Sequence, residues 1–599
     1  MKTTSRAWSK VRFTAYVVVM CLRRRRATTL TVLALILARV TAPSVLAWTQ
    51  GQLVDGLQNT LLLRVFLAGT IGAAFLVVAQ IGGLYEYSLT RELSELTELE
   101  LTTDLLHWST EAATVEHLEE PEYLDRQSRV LRDAGAVAYA AWAAISAIGT
   151  VVALMVTLAL LFRVDILLPL VVVFTVPAVL LAGRAGILHL NIVDSTEHLL
   201  RWEEDLHQLA TKPESLAEIK GSDQGNAVDR AASQIWIEAA RKELRVRAVT
   251  VALTASGWAF YTLGIGLSTW WVIELAHRQA LSIGDIAVTM ALTVGLLGQV
   301  SAVLRARNSV IESGRVTEHY LWLKERTEEL PRARNPIGQL RHGISLDHVS
   351  FRYPGGRKDV LTDINLHIPA GSVLGIVGVN GAGKSTLVML LTGLYTPTGG
   401  QLLADGAPVE PGQLSQSTSA TFQDYLRPQT LAHEAIGIGH LPEIDNIPAV
   451  ARAAEEGSAD SFIERLPKQW TTQLGSTFDG HRPSQGQWQR VALSRGMMRP
   501  DPVILVLDEP TATLDPQAEH DLFRRFAERA RSIAARTGAV TILVSHRFST
   551  VTMTDQIVVI DDGRIAEAGT HDELMARQTQ YRSLFMQQAR GYESDGATA

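Results

Sequence analysis

The sequence has one cysteine, Cys21, in 599 residues. That excludes an intramolecular disulfide framework and a metal site built from several cysteines. It also has no surplus of positive charge: 55 lysines and arginines face 62 aspartates and glutamates, a net of -7, so nothing invites a nucleic-acid partner. Charge of either sign is almost missing from long stretches before Leu304, whereas the segment after Gly343 has the balance of an ordinary globular protein. Hydrophobic residues make up 47% of the chain, high for a soluble protein and low for one immersed wholly in lipid, which points to a mixed chain. The length leaves room for two or more domains.

A bilayer-spanning helix needs about 20 mostly apolar residues. Six stretches qualify: Thr29–Trp48, Leu61–Tyr85, Ala136–Leu161, Ile166–Leu181, Val249–Glu274 and Ile283–Leu304. The alternative, a set of helices buried in a large soluble core, fits poorly with their lengths, low charge and number. Arg23, Arg24, Arg25 and Arg26 precede the first stretch as in a signal peptide, but that stretch is too long and lacks a convincing cleavage site. It reads as a retained span, and Tyr16–Met20 as part of an amphipathic helix on the membrane surface. Only Phe162–Asp165 separates the third and fourth spans, so a tight hairpin is expected there.

Basic residues flank both ends of the set, at Arg23–Arg26 and at Arg305 and Arg307, which places both ends on the cytoplasmic side. The long polar inserts Glu86–Gly135 and Gly183–Arg247 then lie on that side too, as continuations of helices two to five. Two arginines interrupt apolar stretches. Arg39 is expected in an internal ion pair and Arg64, near a helix end, to snorkel; the alternative places both on a substrate path. Trp258, Tyr261, Trp270 and Trp271 could wall an apolar substrate, or sit at a membrane interface.

After the sixth span, Pro331 and Pro336 punctuate a linker, and Ile344, Leu346 and Val349 alternate as in a strand. Val373, Leu374, Ile376 and Val377 form a second, buried strand. It runs into Gly378-Val379-Asn380-Gly381-Ala382-Gly383-Lys384-Ser385 and the helical Thr386–Leu391. This is the phosphate-binding pattern in its required strand–loop–helix setting. Glycines let successive backbone N–H groups turn toward phosphate oxygens, and the helix N-terminus adds unpaired donors. Lys384 is suited to neutralise the β and γ phosphates and Ser385 to ligate Mg²⁺. A chance glycine turn would lack the strand before it and the helix after it.

Val503-Ile504-Leu505-Val506-Leu507 is a further buried strand, and it ends in Asp508 and Glu509. The carboxyl edge of an open α/β sheet is where ligands bind. Asp508 is suited to hold Mg²⁺ and Glu509 to polarise the attacking water. Two carboxylates at a strand end can also be mere solvated termini; the phosphate loop weighs against that.

With these motifs in place, the chain resembles an ATP-binding cassette exporter of the half-transporter type over nearly its whole length. The resemblance implies an all-α six-helix membrane domain followed by an α/β P-loop cassette. The boundaries are 1–27 for an interfacial segment, 28–325 for the membrane domain, 326–343 for a linker, 344–590 for the cassette and 591–599 for a tail. It assigns Tyr353 to adenine stacking. It assigns nucleotide contact to Gly378, Val379, Asn380, Gly381, Ala382, Gly383, Lys384, Ser385 and Thr386. Gln423 becomes a second contact to Mg²⁺ and water, beside Ser385 and Asp508. Asp515 communicates across a cassette dimer, and His546 joins Glu509 and Lys384 in catalysis. A lone histidine or glutamine is more often structural than catalytic; their joint order makes them specific.

The signature L-S-G-G-Q of that family stands here as Pro483-Ser484-Gln485-Gly486-Gln487, with Ser484, Gly486 and Gln487 retained for the nucleotide held by the opposing cassette. Gln485 in place of glycine could crowd that contact or restrict its backbone, and Phe478 stands where a glutamate is usual. The resemblance implies ATP and Mg²⁺ as cofactors. As partners it implies a second copy or a homologous half-transporter, membrane lipid and a transported substrate, and no nucleic acid. The expected location is a bacterial cytoplasmic membrane, with the N-terminus and cassette cytoplasmic. The expected function is ATP-driven export of a lipid, drug, peptide or other amphipathic molecule by alternating access of a dimer. An ATP-gated channel, or a regulatory subunit of a heterodimer, shares the architecture. Transmission to the bundle is expected near Pro121–Arg126 and Ala217–Asp223.

Overall fold

The computed structural model describes residues 13, 15–278, 281–332, 335–476, 478–508, 516–545 and 548–587. The chain separates into two units: Met1–Leu105 with Gln127–Trp322, and Leu106–Arg126 with Leu323–Ala599.

The first unit is helical. A short helix α1 (residues 15–24) leads into α2 (Arg26–Gln58), followed by α3 (Leu62–Glu111), α4 (Pro121–Val164), α5 (Thr175–Thr211), α6 (Pro213–Gly221), α7 (Gly225–His277) and α8 (Ile283–Glu329). Among the described residues six helical segments are long and apolar enough to cross a membrane, and each contains or largely overlaps one of the six expected spans. At 1.5 Å per residue, the 50 residues of α3 and 53 of α7 far exceed a hydrocarbon core about 30 Å thick, as expected of helices two to five. The sixth overruns as well, reaching Glu329.

Local chemistry fixes the joints. Between α4 and α5, Pro169 sits at the start of a tight 3₁₀ turn, Leu168–Phe174, where its missing N–H costs nothing. The Asp165 carboxylate closes this hairpin by accepting from the Leu167 N–H at 2.8 Å and from Trp271 Nε1 at 3.2 Å. Helices α5 and α7 pack closely: a Cβ on Gly257 would lie 2.7 Å from the Ala178 Cα, so only glycine fits.

Arg39 does form an internal ion pair. Its guanidinium donates to both Glu86 oxygens, at 2.6 and 3.1 Å, and to Ser146 Oγ at 2.9 Å, joining α2, α3 and α4. Arg64 is exposed on the first turn of α3, where it can snorkel. Of the four aromatics, Trp258 and Trp270 are exposed but Tyr261 is buried at 2%. Its hydroxyl donates to the Thr293 carbonyl and accepts from the Leu297 N–H of α8, so it is a packing residue and no part of a substrate wall.

The second unit is α/β. An antiparallel sheet has the order β2-β1-β4-β5, with β1 (Gly343–Phe351), β2 (Leu361–Pro369), β4 (Gly399–Ala404) and β5 (Ala407–Pro408). A six-stranded sheet has the order β10-β9-β3-β8-β7-β6. It comprises β3 (Val373–Gly378), β6 (Thr418–Thr421), β7 (Ile504–Asp508), β8 (Val540–Val544), β9 (Gln556–Asp561) and β10 (Arg564–Gly569). Every pairing in it is parallel except β9 with β10. All five residues of β7 and of β8 are buried, as parallel strands covered on both faces require. Helix α9 (Lys384–Leu391) follows β3. A helical subregion follows β6, with α10 (Ala432–Gly437), α11 (Ile447–Glu456), α12 (Asp460–Ile463) and α13 (Gln485–Gly496), and α14 (Pro516–Thr537) precedes β8.

Candidate nucleotide site

The register of the larger sheet brings its carboxyl ends together. Thr421 pairs with Leu507, Asp508 with Val544, and Ile376 with Val544, so the loops after β6, β7, β8 and β3 open on one edge. That edge collects the phosphate loop, Gln423 and Asp508, and it is the ligand-binding edge of such sheets. Glu509, Asp515 and His546 lie outside the described residues.

The phosphate loop has the backbone its glycines permit. Gly381 and Gly383 have φ of 81° and 105°, in the left-handed region that side-chain-bearing residues rarely adopt. At Gly383 the space is closed too, since a Cβ would lie 2.8 Å from Leu361 Cδ2. The Lys384 ammonium donates to the Gly378 and Val379 carbonyls at 2.9 and 3.1 Å, which holds it across the loop. Val379, Asn380 and Ser385 are exposed, whereas Ala382 is buried and its N–H donates to the Val379 carbonyl at 3.2 Å.

Tyr353 joins this loop through its hydroxyl, 3.0 Å from Thr386 Oγ1 in the first turn of α9. Its half-buried ring packs edge-on against Phe351 and Tyr395, with centroids at 5.2 and 5.7 Å. Gln423 is exposed just beyond β6, and the Asp508 carboxylate ends β7 at 5% exposure. The donor set suits Mg²⁺. Among the described residues no three His, Cys, Asp or Glu side chains converge. One carboxylate, one hydroxyl and substrate phosphates are the sparse set this ion prefers over an all-protein cage.

The altered signature is locally well built. Ser484 caps α13: its Oγ accepts from the Gln487 N–H at 3.3 Å, and Gln487 Oε1 accepts from the Ser484 N–H at 2.7 Å. This reciprocal capping box places Gln485 at the first helical position, where a side chain brings no backbone restriction. Its side chain is exposed, so any crowding falls on what approaches the helix. Gly486 and Gln487 are half-buried, and Phe478 stands 66% exposed on the turn before the signature.

Two features carried no motif. Tyr425, two residues past Gln423, donates to the Gln485 carbonyl at 3.2 Å, and Arg495 donates to the Leu426 carbonyl at 3.1 Å. The loop after β6 is thereby fastened to the signature helix. Residues 113–119, which cluster with this unit, dock beside the end of α9. The Val115 N–H donates to the Leu394 carbonyl at 3.0 Å, the Glu116 carboxylate accepts from the Thr396 N–H, and the Tyr395 hydroxyl donates to Glu119 at 2.9 Å. Burial raises the Glu116 carboxyl, and burial followed by the Glu119 bond raises the Tyr395 phenol. The short turn here is Glu116–Glu119, just ahead of the expected Pro121–Arg126, which forms the first turns of α4. Pro213–Gly221 forms the nine-residue helix at the second expected position.

Residues 361–512 match the ABC transporter family. The chain is 35% identical over 303 residues to the ATP-dependent lipid A-core flippase of Alkalilimnicola ehrlichii, covering 50% of this chain and 48% of that one. It is 36% identical over 250 residues to YgaD of Bacillus subtilis, a candidate multidrug export ATP-binding/permease protein, covering 41% of each. The chain thus spans about half the length, or less, of these relatives. Its fold is that of a bacterial Atm1-family ABC exporter solved with ATP bound, with a TM-score of 0.72 and 21% identity over 95% of this chain and 99% of that one. The domain match over residues 361–512, the relatives and the shared fold all agree with the motifs: the chain carries an ABC transporter domain and has the fold of an exporter with fused membrane and nucleotide-binding domains.

Proposed function

We propose that the chain couples ATP hydrolysis to export of an amphipathic substrate, working as a dimer in a bacterial cytoplasmic membrane with its cassette in the cytoplasm. The observation that carries this reading is the single sheet edge, which presents the phosphate loop, Gln423 and Asp508 together in a chain that also has six membrane-spanning helices. Lys384 and the loop N–H groups hold the β and γ phosphates, and Tyr353 offers its ring to adenine. Glu509 orients the attacking water and accepts its proton, and His546 contacts the γ-phosphate. Ser385, Gln423 and Asp508 hold Mg²⁺, which when bound neutralises phosphate charge.

Ser484, Gly486 and Gln487 serve the nucleotide of the opposing cassette, so a complete site needs two chains and two-fold symmetry gives two sites. Asp515 communicates across that interface. ATP can reorient the bundle only by binding the closed pair of cassettes more tightly than the open one. The apolar bundle favours an amphipathic cargo. The experiment is ATP hydrolysis by the purified chain in lipid, beside Glu509→Gln and without a partner subunit. Turnover that vanishes in the variant supports a self-sufficient pump; a folded, ATP-binding wild type without turnover refutes the homodimeric reading.

A further inference from the structure

The four arginines at 23–26 do more than orient the chain. Helix α1 stops at Arg25, whose φ of -140° and ψ of 63° break the path before α2 begins at Arg26. One face of α1 is fixed to the bundle through Val17, Met20 and Cys21, with Cys21 Sγ 3.7 Å from Thr97 Oγ1. The other face is apolar and exposed, Tyr16 at 46% and Val19 at 45%. All four arginines are exposed, and among the described residues only Arg24 meets a carboxylate, Glu100 at 3.0 Å. Tyr16, Val19, Met20, Arg23, Arg24 and Glu100 border an open cleft of about 650 Å³.

An apolar wall beside a guanidinium rim, at the point where a span begins, matches an amphiphile with a negative head. A soluble anion would use the rim and leave the wall bare. We propose that this cleft binds an anionic phospholipid, with Arg23 on the phosphate, Arg26 close by in the headgroup layer, and an acyl chain along Tyr16 and Val19. Guanidinium forks suit phosphate because two N–H groups meet two oxygens. The inference rests on the six helices crossing a membrane and is independent of the direction of transport or the cargo.

The test is native mass spectrometry of the full chain titrated with phosphatidylglycerol or with phosphatidylcholine of the same acyl chains. The expected result is one phosphatidylglycerol retained per chain at concentrations where phosphatidylcholine is lost. Arg23→Gln with Arg26→Gln should weaken retention about tenfold by removing charge-assisted bonds. Because lost charge can also invert a span, Arg23→Lys with Arg26→Lys serves as the topology-safe variant, with a loss of about threefold from the missing fork. Tyr16→Ser with Val19→Ser should weaken retention while leaving every arginine in place. Equal retention of both lipids overturns the proposal. So does retention that falls with the arginine changes alone, which would mean diffuse attraction, or displacement by millimolar inorganic phosphate, which would mean a soluble-anion site.

Discussion

The two units of this chain treat apolar residues in opposite ways. In the cassette the most apolar strands are the most hidden, and no residue of β7 or β8 is exposed. In the bundle only 11% of the most apolar window of α3 is buried inside the protein, and 22% of that of α4. The same side chains are doing different things. Inside the cassette they escape water by packing on one another; along the spans they already have an apolar solvent, so helix association there depends on close fit and polar contacts.

That difference predicts a large asymmetry in stability. Leu505→Ala in β7, where the side chain is 2% exposed, should cost about 2–5 kcal/mol by lost burial and a residual cavity. Leu76→Ala in α3, 48% exposed, should cost less than about 1 kcal/mol when the chain is unfolded from lipid or detergent. Chemical denaturation of each variant beside wild type checks both. Equal costs would mean that the exposed face of α3 is covered by protein.

The same contrast explains what the sequence could tell. The phosphate loop was legible because its chemistry needs eight consecutive residues, Gly378 to Ser385, in one strand–loop–helix setting. The spans were legible because bilayer thickness sets their length. The capping box of Ser484 and Gln487 could have been read as well, since its two residues are three apart. Other features are long-range and leave no local trace. Nothing near Arg39 names Glu86 as its partner, and nothing near Glu119 points to Tyr395. Tyr261 had the composition of a substrate wall, and only packing reveals that its hydroxyl serves a turn of α8. The fastening of Tyr425 to Gln485 joins a loop to the first residue of α13 through a backbone carbonyl, which no residue pattern records.

The Arg39–Glu86 pair tests the bundle half of the comparison at intermediate size. If polar contacts hold the spans together, Glu86→Gln should lower stability by about 1–2 kcal/mol. That is below the ~3–5 kcal/mol of a fully orphaned buried charge, because Ser146 Oγ and the amide oxygen of the new glutamine still accept from the Arg39 guanidinium. Adding Arg39→Gln should return part of the loss, since it removes the orphaned cation. A thermal double-mutant cycle measures the coupling. Strictly additive losses would show that the contact contributes nothing to assembly.

The smallest effect concerns pH and lies in the cassette unit. His117, 1% exposed in the turn Glu116–Glu119, packs edge-on against Tyr123 with ring centroids 4.9 Å apart. Burial lowers its ring below the usual imidazole range; the Thr114 backbone and Glu120 pull it upward, and Arg326 pushes it down. Folding therefore favours the neutral ring. This contribution is fully present above the unfolded value near 6.5 and is lost as pH falls below it toward the folded value. One proton sets an upper slope of about 1.4 kcal/mol per pH unit. Glu116, raised by burial, acts in the opposite direction: its protonation at acid pH restabilises the same turn, so the loss should be partial. Amide hydrogen exchange across residues 113–119 between pH 7.5 and 5.5, corrected for intrinsic rates, should show protection falling with pH. In His117→Phe, which keeps an aromatic ring against Tyr123, that fall should disappear; its persistence would move the cause to another group.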